Sequence, residues 1–132
     1  MVLKVYLSRM LTSASSIRPF IGAKDYDVSR RFYAAVGFEE RVLFPDMSVF
    51  ILGPTAFYLQ RYYKAEWVDN TMVFLEVENV AACHAQLAAL DLPGQFPGAR
   101  LNDIRHEDWG DAFALIDPSG ILWHVGAFKK EQ

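Results

Sequence analysis

Two kinds of apolar periodicity alternate along this chain. Val28, Phe32 and Val36 recur at i, i+4 and i+8, which places them on one helical face. Asp25 or Asp27 can cap that helix and Gly37 stops it, so the spacing predicts a helix over 25–36. A short strand near 17–24 precedes it. Three strand-like runs follow, Phe38–Phe44, Ser48–Leu52 and Ala56–Tyr62, separated by Pro45-Asp46 and Gly53-Pro54. The same order then repeats. A strand over Thr71–Glu78 leads to a helix capped by Asn79, with Val80, Cys83, Leu87 and Leu90 on one stripe. A loop containing Pro93, Gly94, Pro97 and Gly98 leads to strands near Arg100–His106, Asp111–Asp117 and Ile121–Phe128.

Strand, helix and three strands, twice over, is a duplication. It predicts an α+β fold in which tandem βαβββ modules form a curved mixed sheet around a cleft. Residues 1–16 read as an N-terminal extension ending in Thr12-Ser13-Ala14-Ser15-Ser16. Residues 17–130 read as a single domain, with modules over about 17–64 and 70–130. Each module has one apolar sheet face for its helix to cover, which leaves the opposite faces to line the cleft.

The last hairpin is the most explicit local signal. In Asp117-Pro118-Ser119-Gly120, proline presets φ for the first corner and glycine takes a positive φ cheaply. Alternation then puts Ile121, Trp123 and Val125 on one face, and Leu122, His124 and Gly126 on the other.

At 132 residues the chain is long enough to bury a core as one domain. Mixed charges summing to −3 give no reason to expect nucleic acid or an anionic membrane as partner. The first sixteen residues contain no apolar run suited to a signal peptide or a membrane span. A single cysteine, Cys83, excludes an internal disulfide framework and a paired-cysteine zinc site, and suits a reducing cytoplasm. Ten Phe, six Tyr and three Trp exceed what a core of this size needs, which leaves aromatics to line a pocket.

Several motifs together resemble the vicinal oxygen chelate superfamily, which includes glyoxalases, bleomycin resistance proteins and extradiol dioxygenases. The residues that carry the resemblance are Phe32-Tyr33 followed by Val36-Gly37-Phe38, the junction Leu75-Glu76-Val77-Glu78-Asn79-Val80, and Trp109-Gly110 ahead of Asp117-Pro118-Ser119-Gly120. They span about 17–128. The resemblance implies a glyoxalase/bleomycin-resistance-like fold and four inward strand positions that hold a metal in the enzymes of the superfamily. Counted from the landmarks, those positions fall here on Arg18, Tyr58, Met72 and His124. Arginine is a permanent cation and a thioether is a poor ligand for a hard or borderline divalent ion, so a chelate is broken.

With the metal set lost, the resemblance points to the metal-free bleomycin-resistance branch. Its members bind a drug or natural product without chemistry or cofactor, in clefts at a homodimer interface. Alternation then gives the lining: Arg18, Phe20 and Gly22 from one strand, Tyr58 and Gln60 from another, Met72, Phe74 and Glu76 from a third, and Leu122 and His124 with Trp109. The mixture suits a partly aromatic small molecule. The alternative is a glyoxalase- or dioxygenase-like enzyme. It would be either metal-free, with His124 as base and Tyr58 or Arg18 polarising the substrate, or built on an atypical metal pair such as His106 and His124. His84 beside its helix stripe and Cys83 on it read as packing residues.

Overall fold

The computed structural model describes residues 13–130. Most of the predicted N-terminal extension, residues 1–12, lies outside the described residues. Residues 13–19 run exposed into β1, Phe20–Gly22. Helix α1, Tyr26–Val36, is capped as its sequence requires: the Asp25 carboxylate accepts the Val28 N–H, and Gly37 closes the helix at φ 118°. Strands β2 (Glu39–Phe44), β3 (Met47–Leu52) and β4 (Thr55–Gln60) complete the first module.

The second module repeats the plan. After the one-turn helix α2, Ala65–Val68, come β5 (Met72–Glu76), α3 (Val80–Ala88) and the short α4 (Leu92–Gln95). The Asn79 side chain caps α3 by accepting the Ala82 N–H. The predicted strand over 100–106 is broken into β6 (Arg100–Leu101) and β7 (Arg105–His106), both paired antiparallel with β8 (Gly110–Ile116), and β9 (Leu122–Phe128) ends the fold. The two one-turn helices were not legible as periodic segments. Each lies in a connection too short to show a helical repeat, and α4 starts from Asp91 in the left-handed region.

The sheets have the same topology. The first runs β1-β4-β3-β2 and the second β5-β9-β8-β6, with β7 also on β8; in each, the first strand pairs parallel with the last. Internal duplication is thus visible as matching strand order.

The two modules share one core on their helix-covered faces. Phe57 of β4 and Trp123 of β9 meet at 5.3 Å between ring centroids, and Tyr33 of α1 touches both. Phe32, Phe50, Phe113 and Ile121 are fully buried around them. Strand alternation sends the neighbours of Phe57 and Trp123, namely Tyr58 and His124, off the opposite side of each sheet. Each open face therefore lies on the side of its sheet away from the common core.

Candidate functional site

On the first open face, strand register sets Phe20 opposite Tyr58 and Gly22 opposite Gln60. The Phe20 and Tyr58 rings lie 4.9 Å apart, and Phe20 is 58% exposed. Arg18 reaches over this pair: its guanidinium sits 5.8 Å from the Tyr58 ring centroid and donates to the phenolic oxygen at 3.4 Å. Arg18, Phe20, Tyr58 and Gln60 thus form one surface, aromatic in the middle and cationic at one end.

The second open face is richer. Met72 stands opposite Leu122, Phe74 opposite His124 and Glu76 opposite Gly126. Phe74, Trp109 and Phe128 form an exposed cluster, with Phe74 stacked on Phe128 at 5.6 Å and Trp109 5.3 Å from Phe128. Gly126 permits this: a Cβ there would come within 3.1 Å of the Phe74 ring and 3.0 Å of the Ala112 Cβ. Beyond Gly126 the floor is made of small residues, Ala112 and Ala114, before the exposed Arg105 and Arg100 on the far strands. The sequence reading did not include Phe128, Arg100 or Arg105. Phe128 carries a usable signal, since it continues the Leu122, His124, Gly126 alternation by one step. The two arginines do not, because the break between β6 and β7 interrupts their periodicity.

His106 does not join His124. It lies opposite Asp111, which alternates with the open-face residue Ala112, and its Nδ1 is 2.7 Å from the Asp111 carboxylate. The atypical pair weighed for a metal is therefore not assembled in the chain. His84 packs edge-on against Phe113 and bonds the Asn102 carbonyl, and Cys83 is half-buried against the core.

A metal ion of the kind the fold's enzymes use finds no fit in these residues. Arg18 and Tyr58 are engaged with each other on one face, while Met72 and His124 stand on the other. Among the described residues no three His, Cys, Asp or Glu side chains gather in a way that would hold a metal. No described helix is long and apolar enough to cross a membrane.

Behind both faces the core contains a buried polar clasp. The Trp123 indole N–H donates to the Tyr33 oxygen at 3.0 Å, and the Tyr33 hydroxyl donates to Asp117 Oδ2 at 2.6 Å. The other oxygen, Asp117 Oδ1, accepts the N–H groups of Ser119, Gly120 and Ile121. Burial pushes the Asp117 carboxyl above its ordinary value, and these hydrogen bonds partly offset it. The clasp fixes the β8–β9 turn, and so the direction in which β9 presents His124.

No family model matches the sequence, and no curated protein does. Solved structures do match over most of the chain. A bleomycin-binding protein complexed with bleomycin superposes with a TM-score of 0.73 at 18% identity, covering 88% of this chain and 100% of that one. The bleomycin-binding protein of bleomycin-producing Streptomyces verticillus, complexed with copper(II)-bleomycin, gives 0.72 at 22% identity, covering 89% and 98%. Lactoylglutathione lyase from Agrobacterium tumefaciens gives 0.65 at 16% identity, covering 89% and 100%. Binding proteins and an enzyme thus share this architecture, and at these identities the likeness concerns the fold. The chain has the glyoxalase/bleomycin-resistance fold.

Proposed function

We propose that this chain is a non-catalytic, metal-free binding protein for a partly aromatic small molecule, of the bleomycin-resistance type, acting as a cytoplasmic homodimer. One observation carries the reading: the Phe74, Trp109 and Phe128 cluster stands 41–56% exposed on the open face beside His124. Exposed aromatic patches of this kind mark ligand or partner surfaces. The broken ligand set at Arg18, Tyr58, Met72 and His124 supports binding over metal-assisted chemistry.

The pairing of chains is supported by the differing chemistry of the two faces. One face offers a cation over an aromatic pair and the other an aromatic cluster with an acid, Glu76. A second copy related by a two-fold axis would set the first face of one chain against the second face of its partner, closing two equivalent clefts. Native mass spectrometry with bleomycin and with 2-naphthol tests the reading. Retention of either probe by a dimer, with the probe recovered unchanged, is the expected result. Steady conversion of a probe abolished by His124→Ala would make the chain an enzyme and overturn the reading.

A further inference from the structure

We propose that the ligand is an aromatic acid, stacked on Phe74 and Trp109 and held through its carboxylate by Arg105. The proposal rests on the reading of the aromatic cluster as a binding surface, and adds the charge of the ligand. Strand register fixes the arrangement. Glu76, Gly126, Ala112 and Arg105 stand opposite one another on β5, β9, β8 and β7, so all four lie in one row on the open face. The Phe74 ring lies over this row, since a Cβ on Gly126 would come within 3.1 Å of its Cζ. From Gly126 to Arg105 is two strand spacings of about 4.8 Å each. Only Gly126 and Ala112 stand in the row between the ring and the arginine, and neither has side-chain atoms beyond Cβ.

The β7–β8 hairpin carries both parts of the site. Its turn is closed by the Glu107 N–H donating to the Gly110 carbonyl at 2.8 Å, and Trp109 in that turn reaches Phe74 at 6.1 Å and Phe128 at 5.3 Å between centroids. Arg105 is also available. Its ion-pair partner among the described residues, Glu107, stands at 4.0 Å with both side chains about half exposed, a contact worth little in water. Arg30, by contrast, is committed to Glu40 at 2.6 Å and Asp27 at 3.3 Å. Arg100, opposite Ile116 on the same face, has no ion-pair partner among the described residues, and Asp103 pairs with neither arginine. A guanidinium can donate two parallel hydrogen bonds to one carboxylate. Glu76 at the other end of the row repels an acid, which sets the ligand's direction. The net charge of −3 gives an anion no general attraction to the chain, so the preference arises at this row.

Calorimetric titrations at neutral pH with 2-naphthol, 2-naphthoate and 2-naphthylmethylamine test this. 2-Naphthoate should bind about tenfold more tightly than 2-naphthol, and the ammonium compound more weakly than either. Arg105→Gln should abolish the preference for 2-naphthoate and leave 2-naphthol binding within about twofold, while Arg105→Lys, which keeps the charge, should retain part of it. Phe74→Ala should weaken both probes. Equal affinities for 2-naphthol and 2-naphthoate, or a preference that survives Arg105→Gln, overturn the proposal and leave the stacking reading standing. Tightest binding of the ammonium compound to the unaltered chain overturns it too, whether or not the Arg105 variants fold. If Phe74→Ala leaves both probes unchanged, the stacking reading fails and the proposed pose fails with it.

Discussion

Tyr33, on the helix of the first module, donates its hydroxyl hydrogen to Asp117 in the last turn of the second, across 2.6 Å and with both residues fully buried. This contact is one of several that join the two modules, and four donors converge on a single carboxylate around it. Removing the side-chain acceptor leaves the Tyr33 hydroxyl and the Ile121 N–H without a partner in the core, while the Gly120 N–H keeps the Asp117 main-chain carbonyl. Asp117→Ala should lower the unfolding free energy by about 2–4 kcal/mol, and Tyr33→Phe by about half as much. Urea denaturation monitored through Trp123 measures both; a loss under about 0.5 kcal/mol for Asp117→Ala would show that the clasp does not hold the modules together.

Acid stability should be divided between two carboxylates of opposite sense. Burial raises the Glu40 carboxyl, but hydrogen bonds from Arg30 at 2.6 Å and Ser48 at 2.7 Å outweigh it and hold its pKa below the ordinary value. A depressed folded pKa gives stability that is present above the unfolded value and is lost as pH falls through the folded one. Asp117 is raised, so its ionisation removes stability as pH climbs through its folded value. The stability difference between wild type and Glu40→Gln should therefore be present near neutrality and vanish in the acid range. Asp117→Asn should change the slope in the opposite direction. Denaturation midpoints across pH would contradict this if the Glu40→Gln difference stayed constant.

Phe74→Ala should weaken binding of 2-naphthol by about 1–3 kcal/mol, the contribution of a buried aromatic contact. The fold should survive, because Phe74 is 43% exposed. A titration with no change would place the ligand elsewhere.

Arg18→His combined with Met72→His should create a site for zinc or nickel, with His124 as the third imidazole. Met72 and His124 are on adjacent parallel strands of one sheet, while Arg18 belongs to the other face. Uptake therefore requires the partner's face, and metal content should fall when the dimer is diluted apart. A folded, dimeric double variant that stays metal-free would show that the faces do not meet as proposed.

The fold was largely legible in the sequence because its signals are local. Asp25 and Asn79 cap helices, Gly37 ends one, and Asp117 to Gly120 makes a turn, each through groups within four residues of one another. Alternation correctly separated Tyr58 from Phe57 and His124 from Trp123, since a period of two leaves little ambiguity once turns are placed. Which side chains join the two sheets was not legible, because it depends on long-range packing, here the contact of Phe57 with Trp123. Arg100 and Arg105 were missed for a related reason: only pairing with β8 brings their interrupted strands into register.

If ligand lies between two chains, two differently damaged chains should repair one another. Arg18→Ala damages the first face and Phe74→Ala the second, and each alone should bind 2-naphthol poorly. In a mixed dimer both lesions fall in one cleft and the other cleft is intact. The decisive measurement is 2-naphthol stoichiometry after the two variants are mixed and allowed to exchange subunits. Wild-type affinity at one site per mixed dimer is the predicted result. No recovery of tight binding, in chains shown by native mass to have exchanged, would contradict a site built from the two faces of different chains.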